Sequence, residues 1–113
     1  MPKNMPVYIA AAGPDIQAAV ALSMRCAYLA YSIGPGGALN RSPLPARTRG
    51  GLLGLSDHDA PPLEGLDPRR LEQETAAECS RRGYAGILLD FERPEYQQLA
   101  ISLCQGLARQ GLV

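Results

Sequence analysis

The stretch Tyr84 to Phe91 constrains the fold more than any other part of the chain. It is short, apolar and strand-like, and a helical pattern lies on each side of it, one ending at Gly83 and one opening at Pro94. A strand flanked by two helices has no tight hairpin to a neighbour, so it pairs in parallel through crossover connections. Parallel strands need helices packed against them. That single run points to the α/β class.

The other segments repeat the alternation. Val7 to Ala11 is a short β-prone run between Pro6 and Gly13-Pro14. Pro14 suits the first position of a helix and Asp15 complements its positive end. Ile16, Ala19, Val20 and Ser23 then recur at helical spacing, with Arg25 in the last turn. Cys26 to Ile33 gives mixed signals. Tyr28 and Tyr31 stand three apart, which favours a helix, while the stop at Gly34-Pro35-Gly36-Gly37 favours a strand of ordinary length. We read it as a strand.

Residues 34 to 50 hold four Gly, three Pro and the three arginines Arg41, Arg47 and Arg49. That composition predicts a long, flexible loop with no regular element. Gly51 to Ser56 is a further apolar strand. Asp67 as cap, Pro68 as first residue and Gly83 as stop delimit the next helix. Leu71, Thr75 and Cys79 form its inner stripe. Glu72, Glu74, Glu78, Arg81 and Arg82 are expected to face water, with Glu78 and Arg82 paired. The last helix places Tyr96, Leu99, Ala100, Leu103 and Leu107 on one face and stops at Gly111, and Leu112-Val113 opens a further strand.

The fold class is therefore α/β, a parallel sheet of about four strands with helices in one domain over residues 1–113, resembling the first half of a (β/α)₈ barrel. A fragment, a self-pairing half-barrel and a small open flavodoxin-like sheet all remain open.

With 113 residues, 46% hydrophobic and 19% charged, the chain is globular in composition. Eleven basic and eleven acidic residues balance, so no global field draws nucleic acid or an anionic membrane. No apolar run approaches the roughly 20 residues that span a bilayer. Met1 to Pro6 lacks the pattern of a signal peptide, which points to the cytoplasm. Cys26, Cys79 and Cys104 are too widely spaced for a metal knuckle and odd in number for a disulfide framework, so buried reduced thiols are expected.

Chemistry concentrates at the end of the Gly86–Glu92 run. Alternation puts Leu88, Asp90 and Glu92 on one face and Ile87, Leu89 and Phe91 on the other. The second face is wholly apolar and should pack on helices. Asp90 and Glu92 then share the opposite side at the C-terminal strand end, where barrel enzymes keep their catalytic groups. Two carboxylates so close raise each other's affinity for protons.

The stretch Ala85-Gly86-Ile87-Leu88-Leu89-Asp90-Phe91-Glu92-Arg93-Pro94 resembles the family 18 glycoside hydrolase signature, D-G-x-D-x-D-x-E followed by an aromatic and Pro. That family includes chitinases, bacterial wall and spore-cortex hydrolases and inactive chitin-binding lectins. The resemblance implies that Glu92 is the general acid on the glycosidic oxygen. It implies that Asp90 orients the N-acetyl group that attacks the anomeric carbon in place of an enzyme nucleophile. The sequence departs from the signature at Ala85 and Leu88, the first two acid positions, and at Arg93, the aromatic one.

Asp57-His58-Asp59 follows another strand and should lie at the same end of the sheet. A turn before Pro61-Pro62 accounts for its aspartates. A metal held by two of the three is the sharper reading. Asp57, His58 and Tyr31 are the candidate glycan contacts. Ser23, Ser32 and Ser56 have no His at triad spacing, and Gly34 to Gly37 lacks a phosphate-loop Lys. The expected ligand is a glycan containing N-acetylglucosamine, with no cofactor, no metal, no nucleic acid and no membrane. The expected partner is a second copy or a missing C-terminal half-barrel.

Overall fold

The computed structural model describes residues 8–21 and 25–111. They form a five-stranded sheet and three helices, in the order β1 (Ile9–Ala11), α1 (Pro14–Ala21), β2 (Cys26–Ile33), β3 (Leu39–Arg41), β4 (Leu52–Ser56), α2 (Pro68–Arg82), β5 (Gly86–Asp90) and α3 (Gln97–Arg109). Four strands run parallel in the spatial order β1-β2-β4-β5, so space follows sequence without a reversal. A flavodoxin-like sheet would place its first strand inside the order, at a switch point. Here β1 is outermost.

The helix termini follow local chemistry. Asp67 accepts a hydrogen bond from Arg69 N at 3.0 Å and caps α2. Gly83 ends it at φ 69°, a left-handed conformation that costs glycine little. In α1, Ile16 and Ala19 turn inward while Val20 is exposed. Arg25 belongs to no helical turn. It directly precedes β2, and its carbonyl accepts from Ile9 N at 2.8 Å. Ser23 and Leu112-Val113 lie outside the described residues.

The segment expected to be a featureless loop contains structure. A short 3-10 turn at Pro35–Gly37 leads into β3, which pairs antiparallel with β2 through Tyr31–Arg41, Ser32–Asn40 and Ile33–Leu39. β1 covers only Cys26 to Tyr28 of that β2 edge, and β3 takes the part β1 leaves free. Gly36 and Gly37 supply the positive φ angles of the turn, 71° and 93°. A Cβ at Gly37 would stand 2.5 Å from the Asp67 carbonyl oxygen, so only glycine fits there. Glu74 of α2 ties the hairpin down by accepting from Leu39 N at 2.9 Å.

All the buried helix positions meet one sheet face. Leu53 and Leu55 of β4 pack there with Leu71, Cys79, Leu99, Leu103 and Leu107. Ile87, Leu89 and Phe91 border the same core, as alternation requires. The cysteines are free thiols, Cys26 and Cys79 buried and Cys104 partly so. Burial pushes the Cys79 thiol up to about 11. The opposite face carries Ser32, Gly54, Ser56, Leu88 and Asp90, and Leu88 is 36% exposed. No described helix covers it.

Glu78 departs from the water-facing position given by the helical pattern. It is 8% exposed and forms the hub of a buried network. Its carboxylate accepts from Tyr31 Oη at 2.6 Å, from Arg41 at 3.1 Å and from Arg81, with Arg82 at 3.4 Å. β3 folds over this part of α2 and removes it from solvent.

Candidate functional site

The C-terminal ends of β2, β4 and β5 open into a cleft of about 580 Å³ that holds Asp57, His58, Asp59, Asp90 and Glu92 together with Ser32, Ser42 and Ser56. Register explains the grouping. Ser32 pairs with Ser56 and Ser56 with Asp90, so two hydroxyls and a carboxylate form a row across the open face. Asp90 and Glu92 are both exposed. Neither carboxylate forms an ion pair among the described residues.

β5 ends at Asp90, two residues short of the expected Glu92, and Asp57 is the reason. Its carboxylate, in a residue 2% exposed, accepts from Glu92 N at 3.0 and 3.1 Å and from Arg93 N at 2.7 Å. A side chain thus takes over the amides where the ladder stops. Asp57 lines the cleft, and its oxygens hold the Glu92 and Arg93 amides.

The turn after β4 is stapled to the start of the last helix at further points. Arg93 donates to the Ala60 carbonyl at 2.5 Å and to Glu95 at 2.8 Å, with its guanidinium 5.0 Å from the centre of the Tyr96 ring. Tyr96 donates to the Pro61 carbonyl. Arg93 is therefore occupied in holding the turn and leaves Asp90 and Glu92 unneutralised. Burial pushes the Tyr96 phenol up despite the nearby Arg93.

His58 and Asp59 are exposed at the cleft rim, with Nε2 and Oδ2 3.4 Å apart. Among the described residues no three His, Cys, Asp or Glu side chains converge as metal ligands, and Asp57 turns away from its two neighbours. Tyr31 lines the cleft, but its phenol points elsewhere. Its side chain lies on the helix-covered face, where the phenol donates to Glu78 and meets the Tyr84 hydroxyl at 2.8 Å. Burial and these partners raise its pKa far above the ordinary phenol range.

A bulge explains the facing of the Tyr31 ring. Tyr28 pairs with Leu53 and Tyr31 with Leu55, so Leu29 and Ala30 stand together opposite Gly54. The extra residue puts both tyrosines on one face. It also swings Ser32 into the cleft, a position that simple alternation from Tyr28 does not give.

No family model, no curated protein and no solved structure matches this chain.

Proposed function

We propose that the chain is the acid-bearing half of a glycan-hydrolysing barrel, with Glu92 as general acid and Asp90 as its partner. The supporting observation is the Asp57 clamp. Two backbone amides fixed by one buried carboxylate present Glu92 beside Asp90 at the strand ends, in a cleft of substrate size. A general acid must meet the leaving oxygen at hydrogen-bond distance, and a tethered backbone keeps its swing small.

In this reading Glu92 gives its proton to the glycosidic oxygen. Asp90 orients the 2-acetamido group of the sugar that is cleaved, whose carbonyl oxygen attacks that sugar's own anomeric carbon as the bond to the protonated glycosidic oxygen breaks, and water then opens the cyclic intermediate. The Ser32 and Ser56 hydroxyls offer hydrogen bonds to the sugar. Release of chromophore from an N-acetylglucosamine oligomer tests the proposal. Wild type should turn over and Glu92→Gln should lose at least a hundredfold in kcat, the usual scale for a general acid. Equal rates in the two proteins would remove Glu92 from the chemistry.

A second reading rests on a different observation, the open sheet face. Parallel sheets are ordinarily covered on both sides, and Leu88 stands 36% exposed on the side that no described helix covers. A non-catalytic half-barrel that pairs with a second copy would bury that face. Light scattering should then give twice the chain mass, with Leu88→Glu returning it to one. A wild-type chain that stays monomeric at high concentration would refute the pairing.

A further inference from the structure

The end of the sheet opposite the acids carries the reverse charge. A cleft of about 640 Å³ between residues 46–49 and the last turn of α2 is lined by Ala46, Arg47, Thr48, Arg49, Arg81 and Arg82, four arginines and no acid. Arg47 and Arg49 also line an adjoining cleft of about 600 Å³ that includes Arg25 and again no acid. The chain as a whole has no net charge, so this concentration does not reflect a basic protein.

Local pairing does not neutralise it. Glu78 is the one acid bonded to this group, and it is shared among Arg41, Arg81 and Arg82. Arg25, Arg47 and Arg49 form no ion pair among the described residues. Residues 1–7, 22–24 and 112–113 contain no Asp or Glu, so they bring no acidic side chain to it either. The C-terminal end of α2 attracts Arg81 and Arg82 to its negative pole, which accounts for two of the five. It does not account for Arg47 and Arg49.

Those two stand on a fixed frame. Thr48 is buried and its hydroxyl donates to the Arg82 carbonyl at 3.2 Å. Gly50 N donates to the Gly83 carbonyl at 2.8 Å, and Arg82 donates to the Pro45 carbonyl at 3.2 Å. Three hydrogen bonds thus lock the loop onto the helix end, while its two guanidinium groups form no ion pair among the described residues. Guanidinium groups held this way match the paired oxygens of a phosphate, and a preorganised loop loses little freedom on binding.

We propose that this arginine-lined cleft binds a small phosphorylated ligand, a diphosphate or phosphomonoester. The site is separate from the acid end and does not depend on the hydrolase reading. Calorimetric titration with inorganic pyrophosphate tests it, using wild type, Arg47→Gln/Arg49→Gln and, as a remote control, Arg69→Gln. One saturable site is expected in wild type, at least tenfold weaker in the double variant, unchanged in the control and weakened by added salt. Because neither guanidinium forms an ion pair among the described residues, the double variant should keep the wild-type urea midpoint. Absence of saturable binding, or equal affinity in all three proteins, would overturn the proposal. So would binding of a single-stranded oligonucleotide with none of pyrophosphate, which would assign the cleft to a polymer backbone.

Discussion

Replacing Asp57 by Asn exchanges one carboxylate oxygen for an NH₂ group and should be felt at both stability and activity. The native carboxylate accepts from two backbone amides, those of Glu92 and Arg93, in a residue almost fully removed from water. With its oxygen in the Oδ2 place, Asn still accepts from both amides, but both bonds lose the charge that strengthened them. Its NH₂ then stands in the Oδ1 place, 3.1 Å from Glu92 N, where donor faces donor, so a charge-assisted contact of about 1.5–3 kcal/mol is lost. The net cost should be about 2–4 kcal/mol. With an m-value of about 1–1.5 kcal/mol per M, typical of a small domain in urea, the midpoint should fall by roughly 2 M. Asp59→Asn is the matched control, since its side chain is 89% exposed next to an exposed histidine, and it should shift the midpoint hardly at all. Amide exchange at Glu92 and Arg93 should accelerate in Asp57→Asn and remain slow in Asp59→Asn. Equal midpoints for the two variants, or unchanged exchange at residues 92 and 93, would refute the clamp and the positioning of Glu92 that rests on it.

Glu78→Gln should destabilise by about 2–3 kcal/mol, discounted because Arg41 and Arg81 are 40% and 58% exposed, as read from urea midpoints at pH 7. Burial pushes the Glu78 carboxyl up, but the bonds from Tyr31, Arg81 and Arg41 outweigh it and hold the group below the usual 4.5. Its contribution is therefore complete above that value and lost as pH falls through the lower folded value, and the difference between wild type and Glu78→Gln should shrink over that acid range. Gly54→Ala would bring a Cβ within 2.6 Å of Leu29 and 2.8 Å of the Tyr28 carbonyl oxygen, and should cost about 1–3 kcal/mol in thermal or urea unfolding. Asp67→Ala removes the α2 cap and should cost about 1 kcal/mol by the same measurement.

What the sequence made legible was mostly local. Asp67, Pro68 and Gly83 act through the few residues beside them, so α2 could be delimited from the chain alone. The facing of Ile87, Leu88, Leu89 and Asp90 follows from strict alternation in an unbroken strand. The features that were not legible depend on residues distant in sequence. β3 forms because β1 is too short to fill the edge of β2, and no composition of residues 34 to 50 reveals that vacancy. Glu78 has the spacing of a solvent-facing residue, and becomes buried only when Tyr31 and Arg41 arrive from other strands. Asp57 has the signature of a turn residue. Its partners lie 35 and 36 positions away, across the β4–β5 border. Tyr28 and Tyr31, three apart, imitated a helix because a bulge imposes the same spacing on a strand.

That bulge also marks where evolution can shorten the chain. Leu29 and Ala30 share a place that one residue would fill, so an in-frame loss of Leu29 restores one-to-one pairing and leaves Tyr31 and Ser32 facing as they do now. The same loss at Ser32 would turn Ile33 from the buried side toward the cleft. Natural length variation within β2 should therefore be confined to positions 29 and 30, the only slack in a strand that otherwise keeps count.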